Sequence, residues 1–196
     1  MQILWKWLGQ KPNLSDWESR AFSPGLDEGP APGDNQDVHV REVTKETPGE
    51  PQPGGPHRRL ADALLNFQVF PPRLATGVLS RRPVDVADTV GLCYHLFPGI
   101  DLFFAARVTA RFDEKSGGIW RTGFAYRTLQ GHPMAGEEAF SIEKDLASGR
   151  VLVALRSWSR PQILLARVAS PLVRCLQLNA GRAALDCAVG HLLSGP

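Results

Sequence analysis

Two glutamates, a tyrosine and a histidine crowd the eighteen-residue run Gly123–Phe140, which reads Gly-Phe-Ala-Tyr-Arg-Thr-Leu-Gln-Gly-His-Pro-Met-Ala-Gly-Glu-Glu-Ala-Phe. These side chains can exchange a proton or hold the polar end of a ligand. The run reads as strand, tight turn, strand, with the turn at Gly131-His132-Pro133. Successive side chains of a strand point to opposite faces. Phe124, Tyr126 and Thr128 therefore share one face, and Glu138, Phe140 and Ile142 share one face of the next strand. The aromatic and aliphatic members mark that face as core-directed, which brings Tyr126 and Glu138 inside.

A carboxylate on an apolar face must be paired, hydrogen-bonded or shifted in pKa. Glu138 is thus the candidate general acid/base or ligand anchor, with Tyr126, Arg156, Ser157 and Arg160 as its expected partners. Glu137, Ser141 and Glu143 fall on the opposite face, toward solvent. Adjacent glutamates on a strand diverge, so 137 and 138 cannot form a two-carboxylate site.

His132 either caps its turn by bonding to the backbone or titrates at the mouth of a cavity. No second histidine, cysteine or carboxylate stands at metal-ligand spacing from it, and His39, His57, His95 and His191 are scattered. Ser157 and Ser159 lack a Gly-x-Ser-x-Gly elbow, and no phosphate loop or dinucleotide fingerprint occurs. Neither a metal nor a cofactor is expected.

The elements that must position these groups follow from the pattern. Strand-like segments lie near 38–44, 73–79, 88–96, 101–113, 118–129, 136–145 and 150–159, and 58–65 favours a short helix ended by Pro71-Pro72. In the 101–113 segment, Leu102, Phe104, Ala106, Val108, Ala110 and Phe112 alternate onto one face. Pro161 is expected to open a long apolar helix reaching about Leu193, with Arg160, Arg167 and Arg174 as a polar stripe. Consecutive strands with helices set apart define an α+β fold. The expectation is a curled antiparallel sheet of about six to seven strands gripping a long C-terminal helix.

Residues 21 to 58 hold seven prolines and six glycines, a composition too poor in apolar surface to offset its ordering entropy. Residues 1–56 accordingly read as an amphipathic stretch (Trp5, Trp7, Leu8, Leu14, Trp17) forming a terminal helix, followed by a linker in which Asp37–Thr44 is an edge strand. Residues 57–196 form the domain proper. The net charge of +2, from 22 basic and 20 acidic side chains, gives no argument for nucleic acid. No stretch has the length of a membrane span or the features of a signal peptide. Three unclustered cysteines, Cys93, Cys175 and Cys187, fit a reducing, cytoplasmic setting better than a disulfide framework.

The motif Gly123-Phe-Ala-Tyr-x-Thr-Leu129, Gly131-His-Pro133, Gly136-Glu-Glu-x-Phe140 resembles an uncharacterised family of bacteria and plants known as domain of unknown function nineteen-ninety. Ser157-Trp-Ser-Arg-Pro161 resembles that family's second motif. The resemblance covers roughly residues 57 to 190. It departs at the Pro/Gly-rich segment 45–56 and at Arg127, where a glycine is expected. The architecture also resembles the helix-grip fold (START-like, Bet v 1-like), whose members often hold an apolar ligand between sheet and helix.

Three functions are compatible with this reading. The first is binding of a small hydrophobic or amphipathic ligand, walled by Phe104, Val108, Phe112, Phe124, Phe140, Val153 and Leu155 and anchored by Tyr126, Glu138, Ser157 and Arg160. The second is an enzyme of cyclase, isomerase or hydrolase type, with Glu138 or His132 as general base and Tyr126 or Arg160 stabilising negative charge. The third is an interaction module with a filled core, docking a partner protein through the N-terminal tryptophans or the arginine stripe.

Overall fold

Gly55 and Pro56 start the first long helix where a missing N–H does no harm. From there Leu60, Ala61, Leu64 and Leu65 recur at helical spacing and are buried on one side. In the computed structural model, which describes residues 1–162, 178–179, 181–187 and 190, this helix crosses one face of a continuous antiparallel sheet. The elements are β1 (Gln2–Trp5), a 3-10 turn (Lys6–Leu8), α1 (Ser15–Glu18), β2 (Asn35–Lys45), α2 (Pro56–Leu65), β3 (Ala75–Leu79), β4 (Thr89–Phe97), β5 (Ile100–Ser116), β6 (Ile119–Thr128), β7 (Met134–Asp145) and β8 (Arg150–Pro161). Residues 181–187 are helical.

The strand order is β2-β8-β7-β6-β5-β4-β3, with β1 also paired to β5. Strands β3 to β8 form a meander of hairpins. β2 crosses to the far edge to pair with β8, and a register shift interrupts that pairing between Glu42 and Thr44. The motif glycines permit the curl. A Cβ on Gly123 would meet the Phe140 carbonyl at 2.0 Å, and one on Gly136 would meet the Trp158 carbonyl at 2.1 Å. Backbones approach that closely only where the side chain is a hydrogen.

Apolar surface is buried on both faces. Under α2, Leu60, Leu64, Phe67, Phe124, Phe140, Ile142, Val151, Val153 and Leu155 form the larger core, joined by Ala184 and Leu185 of the 181–187 segment. Gly181 lies against His39 and Leu155. On the other face, Leu4, Leu14 and Trp17 cover Cys93, Phe103, Ala105 and Leu129, with the fully buried Trp17 ring edge-on to Phe103 at 6.0 Å.

Several expectations change. The opening tryptophans do not form a terminal helix. β1 hydrogen-bonds alongside β5, Trp17 is buried, and Trp7 is exposed. Strands β1 and β2 are members of the same sheet as the strands beyond residue 57.

Pro161 does not open a helix. It is the last residue of β8, opposite Met134, an end position where the missing donor is tolerated. Of the helix expected from there to Leu193, 163–177, 180, 188–189 and 191–193 lie outside the described residues, Arg167, Arg174 and Cys175 among them. A bulge in β5 between Val108 and Ala110 inserts one residue and reverses the alternation. Phe112 consequently leaves the expected apolar wall for the opposite face, where the Arg121 guanidinium lies 5.2 Å from its ring centroid.

Candidate functional site: the Tyr126–Glu138 face

Phe124, Tyr126 and Phe140 lie together under α2 because the β6/β7 register sets Phe124 against Phe140 and Tyr126 against Glu138. The Phe124 and Phe140 rings stack at 5.5 Å, and Tyr126 lies 5.8 Å from Phe140. This aromatic floor ends in a phenol, and the Tyr126 hydroxyl donates a short hydrogen bond to Glu138 Oε2. Directly across the next two pairings stand Ser157 and Asp37. Asp37, Ser157, Glu138 and Tyr126 thus form one polar row spanning β2, β8, β7 and β6.

Burial disfavours the charged form of Glu138 and raises its pKa from the ordinary 4.5 to about 7. The Tyr126 hydrogen bond only partly offsets this, and the Asp37 charge pushes the same way as burial. Burial and the neighbouring carboxyl likewise push the Tyr126 phenol well above its ordinary value. Among the described residues no cation makes an ion pair with Glu138. A carboxyl in that setting exchanges a proton near neutrality.

The arginines expected beside Glu138 stand on the other face. Arg156 makes a fork to Glu143, at 2.6 and 3.2 Å. Arg160 bonds the Gly29 carbonyl at 2.7 Å and Asp34 at 3.1 Å, over the N-terminal segment. Residues 154, 156, 158 and 160 share that face by strand alternation, so Arg160 does not join the Glu138 row. Ser141 and Glu143, expected in solvent, are 2% and 7% exposed. They lie on the anticipated face, but Arg156 and Arg121 cover them. Glu137 pairs with Arg127 at 2.7 Å.

His132 holds its turn. Its Nδ1 lies 3.0 Å from the Met134 amide and 2.8 Å from the Met134 carbonyl, and its ring sits edge-on to Phe104 at 4.6 Å. Burial lowers its pKa to about 3, so it is neutral in the working range of pH. Glu138 is four strand residues beyond Met134, roughly 13 Å along β7. The two side chains do not converge on one ligand atom. Of the remaining wall, Val108, Phe124 and Phe140 are 1%, 0% and 3% exposed, closed in by protein. Phe104, Tyr126, Glu138 and Ser157 are only partly buried. A cavity of about 20 Å³ lies between α2, Phe140, Val153 and Leu185, room for roughly one water molecule. Among the described residues, the α2 end of the concave face is therefore filled.

Two features escape a reading of the chain. Asp37 reaches the Glu138 row only because β2 crosses to β8. Cys93, His95 and Asp101 come together with their donor atoms within 4.8 Å of one another, although His95 looks scattered in sequence. The available signal was Cys93-x-His95, two side chains on one face of a strand followed by a short hairpin.

A curled antiparallel sheet closed on one face by helices is the helix-grip architecture. It is shared with a hypothetical protein of Helicobacter pylori (14% identity, covering 93% of this chain and 98% of that one, TM-score 0.55) and the major latex-like protein 151 of Panax ginseng (10%, 81% and 97%, TM-score 0.52). The chain belongs to the family described as Domain of unknown function (DUF1990), whose model matches residues 25–186. It is 44% identical over 62 residues to a UPF0548 protein of Deinococcus radiodurans and 37% identical over 70 residues to one of Arabidopsis thaliana. Those matches span 32% and 36% of this chain but only 31% and 34% of the relatives' own length. No helix among the described residues is long and apolar enough to cross a membrane.

Proposed function

We propose that the protein binds a small amphipathic ligand on the concave face of its sheet, at the Tyr126–Glu138 end, with the Glu138 carboxyl as polar anchor. The observation that carries this reading is the carboxyl itself. It is set among apolar and aromatic side chains, has a phenol rather than a cation as its described partner, and holds its proton up to about pH 7. Such a group meets a ligand hydroxyl or amine as acceptor or donor without a change of fold. Partly buried Tyr126 supplies apolar contact, and Ser157 a second polar one. The filled α2 end directs the ligand to this end. A cytoplasmic location goes with this reading, since the three cysteines are unclustered in the sequence.

Native mass spectrometry of freshly purified protein, with solvent extraction of whatever it carries, tests the proposal. A reproducible small-molecule adduct, lost on denaturation and diminished in Glu138→Gln, is the expected result. An adduct retained unchanged in Glu138→Gln overturns the anchor assignment. A clean mass even after incubation with lipid extract overturns ligand binding and favours the interaction module. One observation also supports catalysis: a carboxyl titrating near 7 is matched to proton transfer. On that reading Glu138 is the general base and Glu138→Gln abolishes turnover without lowering stability.

A further inference from the structure

On the face of the sheet away from Glu138, β4 and β5 form a hairpin around Gly99 that sets His95 opposite Asp101, with Cys93 two residues earlier on the same side of β4. Cys93 Sγ lies 3.4 Å from Asp101 Oδ2 and His95 Nδ1 lies 2.9 Å from Asp101 Oδ1. Cys93 and Asp101 are 5% and 6% exposed, whereas the His95 side chain is 24% exposed. Into this cluster reaches Lys6, from the turn after β1, its Nζ 3.1 Å from Asp101 Oδ1.

We propose that Cys93, His95 and Asp101 form a binding site for a zinc-class divalent cation, which displaces the Lys6 ammonium from Asp101. One thiolate, one imidazole and one carboxylate are the ligand types a borderline ion such as zinc selects. Bonds of about 2.0 to 2.3 Å at tetrahedral angles place donor atoms roughly 3.3 to 3.7 Å apart. The present separations reach that range by small side-chain rotations, without moving either strand. Binding releases the Cys93 thiol proton to solvent, and the resulting thiolate and the carboxylate together carry two negative charges that match a divalent ion. The Lys6 side chain, 51% exposed, can withdraw into solvent and open the approach.

The main rival chemistry for a buried cysteine, nucleophilic attack, is disfavoured by the same geometry. Its hydrogen-bond partner is the Asp101 carboxyl rather than an imidazole that could take its proton. Metal coordination, which replaces the thiol proton directly, needs no such activation.

The test uses the full chain, treated with chelator and reductant and then titrated with Co²⁺ alone. The expected result is saturation at one equivalent, with thiolate-to-cobalt charge-transfer absorption that Zn²⁺ abolishes by displacement. Cys93→Ala should lose the charge-transfer band, and Asp101→Asn should weaken binding at least tenfold. Lys6→Gln, at an exposed position that does not threaten folding, should tighten binding about tenfold by removing the competing charge. No charge-transfer band in the wild-type protein overturns the proposal. So does a band that survives Cys93→Ala in a protein whose circular dichroism is unchanged, or binding unaffected or weakened by Lys6→Gln.

Discussion

Glu138 and Glu143 lie five residues apart on β7, on opposite faces of the sheet, and protein shields both. Their pKa values are shifted in opposite directions. Burial pulls each toward the neutral form. At Glu143 that is outweighed by the Arg156 fork, the Ser141 hydroxyl and the more distant Arg121, so the pKa falls below its ordinary value. At Glu138 the described partner is a phenol, the Asp37 carboxylate adds to the effect of burial, and the pKa rises to about 7. Lys144 shows that the face is not the cause. It shares the concave face with Glu138, is 0% exposed, and pairs with Glu46 at 2.6 Å, which is 1% exposed. What separates the three on this strand is the partner, and among the described residues Glu138 alone has one that cannot carry the opposite charge at neutral pH.

Substitutions along β7 can break that comparison or sharpen it. The largest effect belongs to Lys144→Ala. It leaves Glu46 buried and unpaired and should cost about 3–5 kcal/mol, read as a large drop in the denaturant midpoint. A loss below about 1 kcal/mol would mean that water reaches Glu46 and that the pair is not shielded from solvent.

Glu138→Gln should act in the opposite direction and depend on pH. Below the ordinary carboxyl value of 4.5 the group is protonated in both folded and unfolded chains and contributes no difference. Between 4.5 and about 7 only the unfolded chain loses the proton, so wild-type stability declines as pH rises, and above 7 the penalty is complete. The amide escapes it. The variant should gain up to about 3 kcal/mol over wild type at pH 8 and nothing at pH 4. Equal melting temperatures across that range would place the Glu138 carboxyl in ordinary solvent.

The smallest effect is that of Glu143→Gln. Here the depressed pKa stabilises the fold above the ordinary carboxyl range, and the contribution disappears as pH falls through the folded value. Because Arg156 is 41% exposed, the loss at pH 7 should be only about 1–2 kcal/mol, vanishing at acid pH. A pH profile with the sign of Glu138→Gln would erase the distinction between the two faces.

Strand alternation and turn residues made most of the sheet legible in advance. Asp113–Gly118 and Leu146–Gly149 announce their hairpins, and the parity of Phe124, Tyr126, Glu138 and Phe140 follows from their spacing. The Tyr126–Glu138 contact was readable for the same reason, since a hairpin closing at Gly131-His132-Pro133 sets the two side chains opposite one another. Parity says which face a residue takes but not what covers that face. Glu143 and Ser141 are shielded by arginines of neighbouring strands, and Arg160 is drawn to Asp34 in a segment that reads as linker. The β5 bulge left no mark in a stretch that alternates through it, and Phe112 was misplaced as a result. β1 was hidden because Gln2–Trp5, read together with Trp7 and Leu8, satisfies a helical pattern as well as an extended one, and only pairing with β5 decides between them.

β2 has a consequence for the order in which the molecule assembles. Lys45 pairs with Arg150, so the contact closes more than a hundred residues of chain, whereas every other junction from β3 to β8 is a local hairpin. Loop-closure entropy favours the near pairings. The meander can therefore form first, and β2 docks onto its finished edge. Asp37 arrives with β2, which means that the polar row around Glu138 is completed at the end of folding and is the part of the concave face a partial opening would dismantle first.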